Sequence, residues 1–195
     1  SRTDGRNLAQ EWLDTRKNSA FIHDLNTFNQ INPDKTDHLF GLFENSHMQF
    51  TADLEGKERE EPTLSEMTEL AIDILDNNRK GFFLLVEGGR IDHAHHAGNA
   101  YRALRDALEF SKAVETAYNN TNPRDTLIVV TADHSHVMTM AGYPTRGNPI
   151  VGLVSGNGKD GEPNNEFMTD SMGKPYSTLG YTIGSGYTGA SPDQP

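Results

Sequence analysis

Leu8 is followed by Trp12 and Leu13, four and five positions on, and this spacing predicts a short amphipathic helix ending near Arg16. His38 to Phe43 reads as a short buried strand. The acid-rich stretch from Asp53 to Glu61 ends at Pro62, a residue type that often opens a helix, so a surface loop leading into a helix is expected. Met67, Leu70, Ala71, Ile74 and Leu75 then fall on one stripe at three- and four-residue spacing, predicting a helix over roughly 64–77 that Asn77 and Asn78 stop.

Gly81 leads into five successive apolar residues, Phe82 to Val86, the pattern of a strand buried on both faces of a parallel sheet. A long helical stretch follows to about Tyr118, with Ala103, Ala107, Phe110, Val114 and Ala117 in helical register and Pro123 closing it. Thr126 to Thr131 reads as a second buried strand. Strand, helix, strand in that order predicts a right-handed βαβ unit and an α/β fold built on a parallel sheet.

Beyond Pro149 the pattern changes: residues 155–195 hold eight of the 18 glycines with few apolar residues before Tyr181, so a loop-rich region is expected. A weak strand over 177–183 is the one element read there. The whole of 1–195 is expected to form part of one domain, with its core in 1–150 and a Gly/Pro-rich loop region in 151–195. The first residue is Ser1 and no charged-then-apolar leader follows it, so both ends read as cut from something longer.

Charge narrows the chemistry. Lys and Arg number 17 against 28 Asp and Glu, a net charge of −11, which repels a polyanion and argues against a nucleic-acid-binding surface. No apolar run approaches the ~18 residues that span a bilayer. A phosphorylated substrate could bind such a chain only where a local positive centre overcomes the field, and divalent cations would supply one. Eight His and no Cys point to His/carboxylate metal chemistry and exclude disulfides, thiolate nucleophiles and Cys-ligated zinc.

The candidate ligands sit where the two apolar strands are expected to end, the usual place for ligands in parallel sheets. After the first comes Glu87-Gly88-Gly89-Arg90-Ile91-Asp92-His93-Ala94-His95-His96, and after the second Thr131-Ala132-Asp133-His134-Ser135-His136. Asp92 and His96 are four apart, so one helical turn places a carboxylate and an imidazole within reach of one cation. Asp133 and His134 are neighbours and can share an ion only where the strand breaks into a turn. Glu87 offers an oxygen ligand suited to a harder ion such as magnesium. His23, His38 and His47 have no such company and read as ordinary histidines. Asn119-Asn120-Thr121 fits a glycosylation sequon, a pattern too short to carry weight.

The segments from Phe82 to Leu104 and from Thr126 to Ile150 resemble alkaline phosphatases. The likeness extends to Asp4–Leu13, His38–Glu44 and Glu60–Leu75, covering most of 1–150, with the tail matched loosely. The resemblance implies hydrolysis of phosphate monoesters through a phosphoserine intermediate, with two zinc ions and one magnesium, in a secreted or periplasmic homodimer. It places Asp92 and His96 on the first zinc, Asp133 and His134 on the second, and Glu87 on the magnesium. His136 takes the position of a histidine that hydrogen-bonds the Asp92 carboxylate, and His93 that of a residue lining the phosphate site. Phe43, Glu44 and Glu61 resemble part of an additional calcium site of animal members, with Glu61 where that pattern has Asp.

The family's nucleophilic serine, its phosphate-binding arginine and the remaining metal ligands have no counterpart here, so the chain alone is expected to be inactive. Thr169-Asp170-Ser171 imitates the nucleophile motif but lies after the metal motifs and lacks the small helix-forming residues that should follow; Ser171 reads as loop. Two rivals stand beside this reading: a phosphodiesterase or sulfatase of the same superfamily, which shares the Asp-x-x-x-His and Asp-His pairs, and a metal-binding segment without turnover. The Glu87-Gly88-Gly89-Arg90-Ile91 lead-in argues against the first.

Overall fold

A computed structural model describes residues 3–140, 142–158, 160 and 162–182. Its elements run α1 (Leu8–Asp14), β1 (Ser19–Ile22), α2 (Leu25–Asn29), β2 (His38–Gly41), α3 (Thr51–Leu54), α4 (Leu64–Leu75), α5 (Arg90–His96), α6 (Ala100–Asn119), β3 (Met138–Met140), β4 (Ser155–Asn157), β5 (Pro163–Phe167) and β6 (Leu179–Tyr181). The chain divides into two units, one of residues 1–90 and 105–130, the other of residues 91–104 and 131–195.

In the first unit β1 and β2 form a parallel pair, Ser19 opposite His38 through Ile22 opposite Gly41. Trp12 of α1 and Phe21 of β1 pack on the Phe40 ring at centroid distances of 5.6 and 5.4 Å. Ile22, Phe28, Phe50, Ile72 and Ala113 are buried. Helix α4 starts where its sequence says it should: the Thr63 hydroxyl accepts from the Glu66 N–H, and the Glu66 carboxylate accepts from the Thr63 N–H at 2.7 Å, a capping box. Pro62 lies just ahead of that cap and is fully buried. Glu109 of α6 ties the same helix end down, accepting from the Ser65 N–H at 3.1 Å and the Ser65 hydroxyl at 2.6 Å. Asp106, one turn earlier on α6, accepts from Thr51 at the start of α3.

Glu66 also receives two parallel bonds from the Arg59 guanidinium, at 2.7 and 2.8 Å. That pairing holds the Glu66 carboxyl at about 2, below its usual 4.5. A carboxyl depressed on folding contributes stability that is present above its unfolded value and is lost as the pH falls toward the folded one. Both side chains are about a third exposed, so solvent screening reduces the contribution to about 1 kcal/mol. Urea unfolding should therefore show about 1 kcal/mol lost between pH 5 and pH 2.5, and Glu66→Gln should remove that part of the acid sensitivity. An unchanged acid slope in the variant would count against the pairing.

The two apolar segments expected as buried strands differ most from expectation. Residues 82–86 and 126–130 belong to no strand among the described residues, and the βαβ unit does not close. Phe83 and Leu85 are 87% and 79% exposed, Leu127 and Val129 88% and 75%. Phe82, Leu84 and Val86 are half-buried. Exposure alternates along 82–86 in the two-residue period of a strand, but a strand exists only through hydrogen bonds to a neighbour, and no described segment supplies one. The short parallel pair β1–β2, whose first strand the apolar pattern did not single out, is the parallel sheet that forms.

In the second unit Ala94, Ala103, Val154 and Leu179 are buried. Gly98 ends α5 with φ +66°, the Gly98 N–H donating to the His95 carbonyl and the Asn99 N–H to that of Ala94. β3 and β6 pair antiparallel with Met138 opposite Tyr181, so the weak strand expected over 177–183 forms over its middle residues; Ile183 lies outside the described ones. β4 and β5 make a second antiparallel pair with a register shift. Beyond Pro149, Val154 is wholly enclosed: its N–H donates to the Tyr176 carbonyl, and its carbonyl accepts from Met168. Gly142, at φ +91°, stands where an added Cβ would come within 2.7 Å of the Val154 side chain, so that position requires glycine.

Candidate metal centre

Helix α5 begins directly after Gly88-Gly89 and lasts two turns, enough to bring Asp92 and His96 onto one face. The His96 Nε2 lies 3.5 Å from the Asp92 Oδ1. On the segment after residue 130, His136 Nε2 hydrogen-bonds the same Oδ1 at 2.7 Å, and His134 Nε2 approaches it to 3.5 Å. Three imidazoles therefore gather on one carboxylate oxygen. One ligand atom each from Asp92, His96 and His136 lies within 4.8 Å of the others, and among the described residues this is the group that could hold a metal ion.

The electrostatics follow from that convergence. The Asp92 carboxyl is held below its ordinary value, chiefly by the hydrogen bond from His136. His136 is the best shielded of the three imidazoles, its side chain 15% exposed against 52% for His134 and 71% for His96. Its ring is stacked on His95 at 4.8 Å and met edge-on by His96 at 5.0 Å and His134 at 5.2 Å.

The remaining candidates divide. His134 joins the two motifs, since its Nε2 lies 3.4 Å from Asp133 Oδ2 as well as 3.5 Å from Asp92 Oδ1. The Asp133 side chain is 88% exposed and stands outside the three-residue group. His93 is half-buried on α5. Glu87 belongs to the other unit, in the exposed position just before the glycine pair. Ser171 lies in a turn organised by Asp170, whose Oδ1 accepts from the Met172 and Lys174 N–H groups at 2.8 and 2.9 Å.

Two residues that sequence reasoning left aside belong to this cluster. His95 hydrogen-bonds the Tyr181 hydroxyl through Nδ1 at 2.8 Å and lies over the His136 ring. Burial pushes the His95 imidazole below and the Tyr181 phenol above their ordinary values. His95 could have been suspected from its place in the His-rich run; the partner 86 residues away could not.

Far from this group in sequence, Glu61 is buried and its Oε1 accepts from the Gln49 N–H at 2.7 Å, while Glu44 accepts from the Gln49 side chain at 3.2 Å. Burial, and secondarily the Glu44 charge, raises the Glu61 carboxyl. Its Oε2 is buried without a hydrogen-bond partner.

Comparison with known proteins identifies the family. The family model for alkaline phosphatase matches residues 1–188, well past the 150 residues over which the motifs alone carried the resemblance. An alkaline phosphatase of Gadus morhua is 43% identical over 189 residues, covering 96% of this chain and 37% of the relative. The tissue-nonspecific isozyme of Gallus gallus is 44% identical, covering 96% of the chain and 34% of the relative. A membrane-bound alkaline phosphatase of Bombyx mori is 41% identical, covering 95% and 32%. The chain thus spans about a third of the length of the relatives it matches. A solved structure of a TAB5 alkaline phosphatase mutant with magnesium bound shares the fold, with a TM-score of 0.58 at 20% identity, over 93% of this chain and 45% of that one. No helix among the described residues is long and apolar enough to cross a membrane. With a family model covering nearly its whole length, and relatives more than 40% identical along it, this chain belongs to the alkaline phosphatase family.

Proposed function

We propose that this chain is the metal-binding portion of an enzyme that hydrolyses phosphate monoesters through a phosphoserine, with two zinc ions and one magnesium. The observation that carries the reading is the meeting of α5 with the 133–136 segment on the Asp92 carboxylate. The donor set fits zinc: imidazole nitrogens and carboxylate oxygens, with no sulfur. Asp92 and His96 would hold one zinc, Asp133 and His134 the second, and Glu87 the magnesium. The contact of His134 with both carboxylates suits two centres a few ångströms apart.

When bound, the metals would supply the positive field that a phosphoryl group needs against a chain of net charge −11. The protein's own part is orientation. His136 occupies Asp92 Oδ1 and so decides which way the carboxylate presents its second oxygen. His93, next to Asp92 on α5, would face the phosphate. The nucleophilic serine and the phosphate-binding arginine would come from outside these residues. The bare faces of 82–86 and 126–130 fit this reading, because in an enzyme about three times as long both segments would be paired within a parallel sheet. We read the whole enzyme as a homodimer acting outside the cytoplasm.

Assay of the full-length enzyme at alkaline pH with zinc and magnesium should show p-nitrophenyl phosphate hydrolysed in preference to the bis-ester and the sulfate ester. Preference for either of the latter would select the phosphodiesterase or sulfatase reading instead.

The Glu44–Glu61 pair favours a calcium site, with the Phe43 carbonyl as a further oxygen ligand. A buried carboxylate oxygen without a partner, next to a second carboxylate, is the environment a hard cation relieves. Saturating calcium should raise the melting temperature by about 5 °C, and Glu61→Gln should abolish the rise. A calcium response that persists in the variant would place the ion elsewhere.

A further inference from the structure

We propose that Tyr181 is a positioning residue for the metal centre, acting through His95 and His136 to fix the Asp92 carboxylate; the inference rests on the metal reading above. The contacts form one connected series. The Tyr181 hydroxyl meets His95 Nδ1 at 2.8 Å, the His95 ring lies over His136 at 4.8 Å with 25° between planes, and His136 Nε2 meets Asp92 Oδ1 at 2.7 Å. Each link lies within the second unit.

The backbone explains why the tyrosine arrives there. β6 pairs with β3 in the register that sets Tyr181 opposite Met138, and the Thr182 N–H donates to the Val137 carbonyl at 3.0 Å. The strand pair that leads out of His136 therefore carries the Tyr181 backbone beside it. His95 enters from the other side, on α5, one residue before His96.

The series matters because His136 has one task and several ways of failing at it. An imidazole that orients a metal-binding carboxylate must hold its own ring in place, and it does so here by packing: one face lies on His95, and the edges of His96 and His134 meet it. His96 and His134 are themselves candidate ligands and are mostly exposed, so they are poor supports before metal binds. His134 Nδ1 meets only the carbonyl of its chain neighbour Ser135, at 3.2 Å, whereas the His95 ring is tied to a side chain from a distant strand, the Tyr181 hydroxyl. A group that directly holds a metal ligand, as His136 holds Asp92, commonly governs about 10- to 100-fold in metal affinity, and Tyr181 acts on that group through His95.

The test uses the full-length protein and two substitutions, Tyr181→Phe, which removes one oxygen and keeps the ring, and His95→Phe, which keeps a ring against His136. In the metal-free protein, long-range proton–nitrogen spectra should show the His95 Nδ1 resonance displaced in Tyr181→Phe. Zinc affinity, measured by competition with a chromophoric chelator, should fall about 3-fold in Tyr181→Phe, a part of the roughly 10- to 100-fold that loss of a direct partner of a ligand commonly costs. The visible spectrum of the cobalt-substituted protein should change with it. In the His95→Phe background, adding Tyr181→Phe should change zinc affinity no further. An unmoved His95 resonance, an unchanged affinity, or an equal loss in both backgrounds would overturn the proposal. If the unsubstituted protein took up no zinc at this centre, the metal reading would fall, while the His95 resonance would still decide whether Tyr181 holds that ring.

Discussion

In the full-length enzyme, Asp92→Ala should lower phosphatase turnover by about 10³-fold, with zinc content falling in parallel. No other side chain in the cluster gathers so many partners on one atom: His96, His134 and His136 all address Asp92 Oδ1. Without the carboxylate, three imidazoles face one another with no negative charge between them. A cation placed there would lose an anionic ligand, and the histidine that oriented that ligand would have nothing to hold. Asp92→Asn isolates the charge from the shape. It keeps an oxygen for His136 to address but supplies no anion, so it should share most of the loss. The readings are p-nitrophenyl phosphate turnover and metal content by elemental analysis of the same preparation. Turnover within a few-fold of the unsubstituted enzyme, at unchanged zinc content, would remove Asp92 from the centre.

By comparison, His96→Ala removes one ligand type from an exposed position and leaves the His136–Asp92 bond in place. The order of effects, Asp92 above His96, is the signature of a centre built around one carboxylate.

What the sequence made legible follows the range of the forces involved. Helix α4 was readable because Pro62 ahead of it and its three- and four-residue apolar spacing are local, although the residues it buries fully are Thr68 and Ile72 beside the half-buried stripe, and the Thr63–Glu66 capping box went unread. The Asp92–His96 pair was readable for the same reason, since one helical turn is a local fact. Residues 82–86 and 126–130 show the limit. Their apolar runs read as buried strands, but burial and pairing depend on which segments lie beside them, and neither periodicity nor composition names a neighbour. β1 was missed because only Phe21 and Ile22 of Ser19–Ile22 are large and apolar, and its pairing with β2 is what makes it a strand. The His134 bridge between the two carboxylates and the His95–Tyr181 bond are likewise tertiary. The resemblance to alkaline phosphatases supplied roles for residues whose contacts no local pattern could have shown.

Residues 1–195 expressed alone should hydrolyse phosphate monoesters only at background rate, even when saturated with zinc and magnesium. A catalytic zinc normally takes three protein ligands, and the pairs Asp92–His96 and Asp133–His134 offer two each. His136 does not complete the first, because it is engaged with the carboxylate oxygen, and Asp133 is too exposed to hold the second tightly. Covalent catalysis further needs a nucleophile next to a base. Ser171 sits in the Asp170 turn, and among the described residues its hydroxyl is bonded to neither an imidazole nor a carboxylate. Loss of a single group that stabilises the transferring phosphoryl typically costs about 10² or more in rate, and on the proposed reading the nucleophile and the arginine both come from outside these residues. Circular dichroism and zinc uptake on the same sample would establish that the polypeptide is folded and loaded. Turnover near the ~10 s⁻¹ typical of enzymes would then overturn the expectation, and its disappearance in Ser171→Ala would identify the group that had been misread as loop.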